Sequence, residues 1–135
     1  MTGVRPSPGE TDRRPTLVVV EDDDHVRRAL TRLLCSRGYG VRAFESAEAW
    51  LAQICPADGV IMDINLPGMS GLELDERLRR EGRAIPTVFI TAHDEPSPAT
   101  SRVILHKPVE PQALLDAIEH ALTAKDGGCV AGDPS

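Results

Sequence analysis

Residues 59–68 read GVIMDINLPG, an apolar run that closes on an acid and then on a turn. The first five residues have the length and β-branched content of a strand, and the lack of polar alternation implies burial on both faces. The Asn-Leu-Pro-Gly that follows is turn chemistry. A strand buried on both sides belongs inside a parallel sheet covered by helices, which puts Asp63 at a strand's carboxyl end, where open α/β sheets bind their ligands.

Working outward, TLVVV (16–20), VRAF (41–44), PTVFI (86–90) and RVILH (102–106) are the other candidate strands. Helical patterns separate them. Val26, Leu30, Leu33 and Leu34 recur at helical spacing up to Gly38, and Ala47, Trp50, Leu51 and Ile54 mark a second helix behind Ser46. Ser70 with Glu73 is a capping-box signature for a third, ending near Gly82. Leu114, Ala117, Ile118, Ala121 and Leu122 define a last helix opened by Pro111. Strand and helix alternate, so the expected fold is a doubly wound α/β domain.

The chain has 135 residues, enough for one compact domain. Residues 1–15 and 124–135 are poor in core formers and are expected to be disordered tails, leaving a folded domain at 16–123. No apolar run approaches the ~20 residues that span a bilayer. The first ten residues lack the apolar stretch of a secretory signal, so a soluble, cytoplasmic protein without membrane contact is expected. Cys35, Cys55 and Cys129 are odd in number and unpaired in spacing, which suggests neither a disulfide framework nor a zinc site. Core positions are expected for Cys35 and Cys55. A formal charge of -6 excludes a chain that binds nucleic acid directly through clustered cations.

The residues at the strand ends form a coherent set. Glu21, Asp22 and Asp23 follow the first strand, Asp63 and then Asn65 the third, Thr91 the fourth, and Lys107 and Pro108 the fifth. Singly each has a bland explanation: an acidic first helical turn, a turn aspartate, a capping hydroxyl, a surface lysine. Together they bring acid, hydroxyl and ammonium to one crevice. His25, His93, His106 and His120 have no metal-ligand spacing on one element and are expected to be structural or solvated.

VVVEDD, IMDINLPGMSGLEL, IPTVFITAHDE and HKP resemble the corresponding segments of the receiver domains of bacterial two-component response regulators, across residues 16–123. The resemblance implies a flavodoxin-like five-stranded parallel sheet of order 2-1-3-4-5, with Asp63 as phosphoacceptor. It also implies Mg²⁺ or Mn²⁺ held by Asp22, Asp63 and the Asn65 main-chain carbonyl, with Glu21 acting through water. Thr91 would bond a phosphoryl oxygen, Lys107 would pair with the acyl phosphate, and Pro108 is a cis-peptide candidate. The implied partners are a sensor histidine kinase or phosphotransfer protein and a downstream target protein. The product would be a signalling switch whose only chemistry is its own phosphoryl transfer and autodephosphorylation. Too few residues follow 123 for an effector domain, so output is expected through another protein.

Two features depart from the family. Residues 92–101, AHDEPSPATS, are short for a parallel crossover and hold Pro96 and Pro98, so the helix between the fourth and fifth strands is expected to be shortened or missing. A homodimer or partner surface is expected where that helix would have packed. Ile104 occupies the position three before the lysine where the family commonly places a switch aromatic, which puts a rotamer switch in doubt. Two other readings compete: a receiver-like interaction module acting without phosphorylation, and an aspartate-nucleophile phosphatase, against which Asn65 stands where a second acid is needed.

Overall fold

The computed structural model describes residues 14–53, 56–92 and 102–131, with side chains up to Thr123. The elements are β1 (Thr16–Val20), α1 (Asp24–Ser36), β2 (Gly40–Phe44), α2 (Ala47–Gln53), β3 (Gly59–Asp63), α3 (Gly71–Arg80), β4 (Thr87–Thr91), β5 (Val103–His106) and α4 (Pro111–Ala131). All strand pairings are parallel and the order is β2-β1-β3-β4-β5. This is the parallel sheet that the alternating pattern implies, in the flavodoxin-like order that the resemblance implies.

The two-residue period of β1 divides the core. Val18 and Val20 face a cluster with Trp50, Met62, Leu74 and Phe89, on the side of α2 and α3. Leu17 and Val19 face a second cluster with Leu34, Ile61, Ile90, Leu114 and Ile118, on the side of α1 and α4. β3 and β4 are buried at every position, whereas β2 and β5 at the sheet's edges are partly open. Central strands therefore read as continuous apolar runs, because both their faces leave water.

Local chemistry sets the helix ends. Asp23 caps α1 by accepting from the Val26 amide at 3.1 Å. The far end closes in a Schellman arrangement, with Gly38 N donating to Cys35 O at 3.0 Å and Tyr39 N to Leu34 O at 3.2 Å. Gly38 sits at φ 92, a conformation that favours glycine. At α3, Ser70 Oγ accepts from the Glu73 amide and Glu73 Oε1 accepts from the Ser70 amide, the reciprocal box expected from the sequence.

Several expectations change on contact with the structure. Cys35 is exposed rather than in the core, because it lies on the outer face of α1, away from Leu30 and Leu34. The boundary expected at residue 123 falls inside α4, whose backbone is helical to Ala131. β4 starts one residue later than read and takes in Thr91 as its last residue. Ile54, Cys55 and the whole of 93–101, where the shortened or missing helix was expected, lie outside the described residues. Among the described residues no helix is long and apolar enough to cross a membrane.

Candidate functional site

The carboxyl ends of β1, β3, β4 and β5 carry the residues that the sequence singles out. The acidic run after β1 divides into four roles. Glu21 is fully buried, with its backbone amide bonded to Phe44 O at 3.0 Å and its carbonyl held by the Arg27 guanidinium at 2.8 Å. Asp22 is exposed beside it, Asp23 is the α1 cap, and Asp24 pairs with Arg27. One carboxylate oxygen from each of Glu21, Asp22 and Asp63 lies within 4.8 Å of the others.

Asp63 ends β3 and is 4% exposed. Its Oδ1 accepts from the Asn65 amide at 2.9 Å and its Oδ2 from Lys107 Nζ at 2.8 Å. The start of α3 packs directly against it. Gly71 N donates to Ile64 O at 3.0 Å, and a Cβ at Gly71 would come within 2.4 Å of the Asp63 carbonyl oxygen. Only a residue without a side chain permits that approach, so the Ser70-Gly71 pair both caps α3 and seats Asp63. The loop between them is pinned by Glu48 of α2, whose Oε2 accepts from the Met69 amide at 2.9 Å.

Lys107 follows β5 and reaches both buried acids: Nζ is 3.1 Å from Glu21 Oε1 and 2.8 Å from Asp63 Oδ2. The contact to Glu21 is an ion pair without hydrogen-bond alignment, which leaves Glu21 Oε1 with no hydrogen-bond donor. Lys107 N also donates to Thr91 O at 2.8 Å, and the Lys107-Pro108 bond is cis. Thr91 is 1% exposed, and its Oγ1 lies 3.5 Å from Asn65 Nδ2, at the long limit of a hydrogen bond. The Asn65 groups with contacts are thus its amide nitrogens. Ile104 is paired with Phe89 across β4 and β5 and packs, partly buried, against the α2 and α3 side of the core.

The electrostatics are unbalanced. Three carboxylates face one ammonium, and burial, with the Asp63 charge adding to it, pushes the Glu21 carboxyl up to about 7 despite the opposing Asp23 amide and Lys107. Burial alone would lower the Lys107 ammonium, but its contact with Asp63, and then the charge of Glu21, outweigh it and raise it. Oxygen donors in excess of local positive charge, one of them lacking a hydrogen bond, fit a hard divalent cation such as Mg²⁺. Among the described residues the cluster holds no histidine, since His25 and His120 are exposed and His106 is on β5; His93 lies outside the described residues.

Three residues that matter here escaped the sequence reading. Gly71 is visible in GMSG only as a turn or cap residue, Glu48 contacts the loop across 21 positions, and Arg27 holds the Glu21 carbonyl from the next turn of α1. Only Arg27, six residues after Glu21 on a helix that starts at the site, had a local signal.

Comparison with known proteins gives one answer. A family model described as response regulator receiver domain matches residues 17–119. Nodulation protein W of Bradyrhizobium diazoefficiens is 39% identical over 126 residues, covering 87% of this chain and 55% of that protein. The chain spans about half the length of the curated relatives it matches. Among solved structures, response regulator StyR superposes with a TM-score of 0.77 at 41% identity, covering 88% of this chain and 64% of that one. A response regulator receiver protein from Burkholderia phymatum gives 0.72 at 34%, covering 82% and 96%.

Proposed function

The chain belongs to the response regulator receiver domain family, and on that premise we propose that it is a phosphorelay switch in which Asp63 accepts a phosphoryl group from a histidine kinase or phosphotransfer protein. The observation that carries this reading is the placement of Asp63, buried at a strand end between the Lys107 ammonium and the Asn65 amide, with Glu21 and Asp22 close by.

In the forward step an Asp63 carboxylate oxygen attacks phosphorus, the bond from phosphorus to the donor's imidazole nitrogen breaks, and that nitrogen takes up a proton as it leaves. The product is an acyl phosphate. Water later attacks phosphorus and returns the carboxylate and inorganic phosphate. At about 4 Å and an effective dielectric near 20, each like-charge pair in the cluster costs on the order of 4 kcal/mol, so uncompensated carboxylates would repel the incoming group. Mg²⁺ or Mn²⁺, held by Asp22, Asp63 and the Asn65 carbonyl and through water by Glu21, would supply the missing positive charge to the phosphoryl oxygens. Lys107 would supply a second, fixed positive charge, and the Thr91 hydroxyl would donate to a phosphoryl oxygen.

Added charge at Asp63 draws on Thr91 and Lys107, which lie at the ends of β4 and β5, so the β5 edge of the sheet is the surface a partner reads. Val103, 38% exposed on that edge, belongs to the surface we assign to a homodimer or a downstream target protein. Ile104 offers no aromatic ring to rotate, so the change is transmitted by backbone order at this edge. Beyond its own phosphoryl transfer and autodephosphorylation the domain has no catalytic task, and the cytoplasm is the compartment this reading implies. Borohydride reduction of the phosphorylated protein followed by peptide mapping tests the acceptor: the modified residue is expected at 63, and a label on any other residue would overturn the assignment.

A further inference from the structure

Among the described residues three acids have buried side chains: Glu21 and Asp63 in the site, and Asp75, which is 3% exposed on α3. Burying a carboxylate is unfavourable unless it is paired. Asp75 is paired in two directions: Arg102 grips it with Nη2 at 2.8 Å from Oδ1 and Nε at 3.2 Å from Oδ2, and Arg79, one turn along α3, approaches Oδ2 at 3.7 Å. The two-point grip fixes the orientation of the Arg102 side chain, which a single contact would not.

Arg102 is the residue immediately before β5, and Lys107 is the residue immediately after it. Among the described residues β5 is the edge strand and shares backbone pairing with β4 alone. None of its four residues is fully buried. It nevertheless delivers the ammonium that contacts Asp63 and Glu21. Its upper end is tied by Lys107 N to Thr91 O at 2.8 Å, and its lower end by Arg102 to a buried acid on the helix whose first turn seats Asp63.

We infer that Asp75 and Arg102 are positioning residues for the phosphoryl-transfer site, fixing the start of β5 against α3 so that Lys107 meets Asp63 from a rigid strand. This rests on Asp63 being the phosphoryl acceptor and adds that the reach of Lys107 is set from about five residues, some 16 Å, away along the strand. Misplacing a reacting group by about 1 Å can cost up to ~100-fold in rate, so loosening β5 slows phosphorylation without touching the acidic cluster.

The test is the rate of phosphorylation by acetyl phosphate with Mg²⁺, in a Lys107→Ala cycle. Asp75→Asn and Arg102→Lys each lower the rate in the wild-type background, by about tenfold, with no weakening of Mg²⁺ binding by the free protein. In the Lys107→Ala background neither has a further effect, because nothing remains to be positioned. A general loss of structure would instead lower the rate equally in both backgrounds. If the single variants do not fold, Asp75→Leu with Arg102→Met removes the ion pair without stranding a charge, and must show the same dependence on Lys107. Wild-type rates in the variants, or equal losses with and without Lys107, overturn the inference while leaving Asp63 as acceptor. A wild type that takes no phosphoryl group overturns both.

Discussion

Lys107 donates to Asp63 at 2.8 Å although Asp63 ends β3 and Lys107 follows β5, so the lysine side chain spans the end of the intervening β4 at Thr91. The acceptor is therefore held from its own loop by the Asn65 amide and from two strands away by an ammonium. Removing that ammonium acts oppositely on the two functions of the cluster. Lys107→Ala is expected to slow phosphorylation by about 100- to 1,000-fold, the scale of losing one preorganised electrostatic partner. It is also expected to tighten Mg²⁺ binding, since a competing cation is gone. Rate measurements with a small phosphodonor and a metal titration by tryptophan fluorescence at Trp50 check the pair of outcomes, and losses in both would contradict this account.

Neighbouring acids after β1 should separate cleanly. Asp22→Asn removes a carboxylate from the group formed with Glu21 and Asp63, and is expected to weaken Mg²⁺ binding strongly while leaving urea unfolding of the metal-free protein little changed. Asp23→Ala removes the α1 cap and is expected to lower the urea midpoint while leaving the metal titration close to wild type. The reverse pattern would show that the two roles are misassigned.

Glu21 makes the stability of the metal-free protein depend on pH. Its carboxyl is raised from 4.5 to about 7, by burial first and then by Asp63, so the folded state keeps a proton that the unfolded state releases. Stability from this group is therefore greatest below about 4.5, falls as pH rises through the interval to about 7, and is level above it. The full effect is on the order of 3 kcal/mol. Denaturant unfolding across pH 5 to 8 should show the fall in wild type and a flatter profile in Glu21→Gln, with added Mg²⁺ stabilising the wild type most at the upper end. Parallel profiles would remove Glu21 from the cause.

Gly71→Ala places a methyl group against the Asp63 carbonyl oxygen, closer than van der Waals contact permits. The expected cost is about 1–3 kcal/mol in urea unfolding, the range for overpacking, together with weaker Mg²⁺ binding as Asp63 is displaced. Ser70→Ala, which removes only the cap hydroxyl, is expected to cost about 1 kcal/mol with Mg²⁺ binding preserved. Equal effects on metal binding from both would show that capping, rather than the close approach, matters at this turn.

Sequence patterns carried the sheet far because the central strands, β1, β3 and β4, are apolar between their end residues and their neighbours carry helical spacing with recognisable ends, as at Ser70 and Gly38. Strand-end chemistry was legible for the same reason: once the sheet is parallel, Glu21, Asp22, Asp63, Thr91 and Lys107 must share one edge, and the structure brings them to it. What distinguishes Glu21 from Asp22 and Asp23 was not legible, because burial, metal approach and capping are decided by the turn between β1 and α1 rather than by residue type. The Asp75-Arg102 pair was hidden too, since residues 27 apart carry no local signal of contact. Cys35 misled because cysteine is more often buried than exposed, and its helical phase against Leu30 and Leu34 was the better guide.

The central claim is that Asp63 accepts a phosphoryl group in a cluster that needs a divalent cation. Intact mass after incubation with acetyl phosphate, with Mg²⁺ or with chelator, for the wild type and Asp63→Asn, tests it most directly. One added phosphoryl group in the wild type with Mg²⁺, and none in the other three samples, is the predicted result. A phosphoryl group that persists in Asp63→Asn, or a wild type that takes none and also fails to bind beryllofluoride with Mg²⁺, would contradict it.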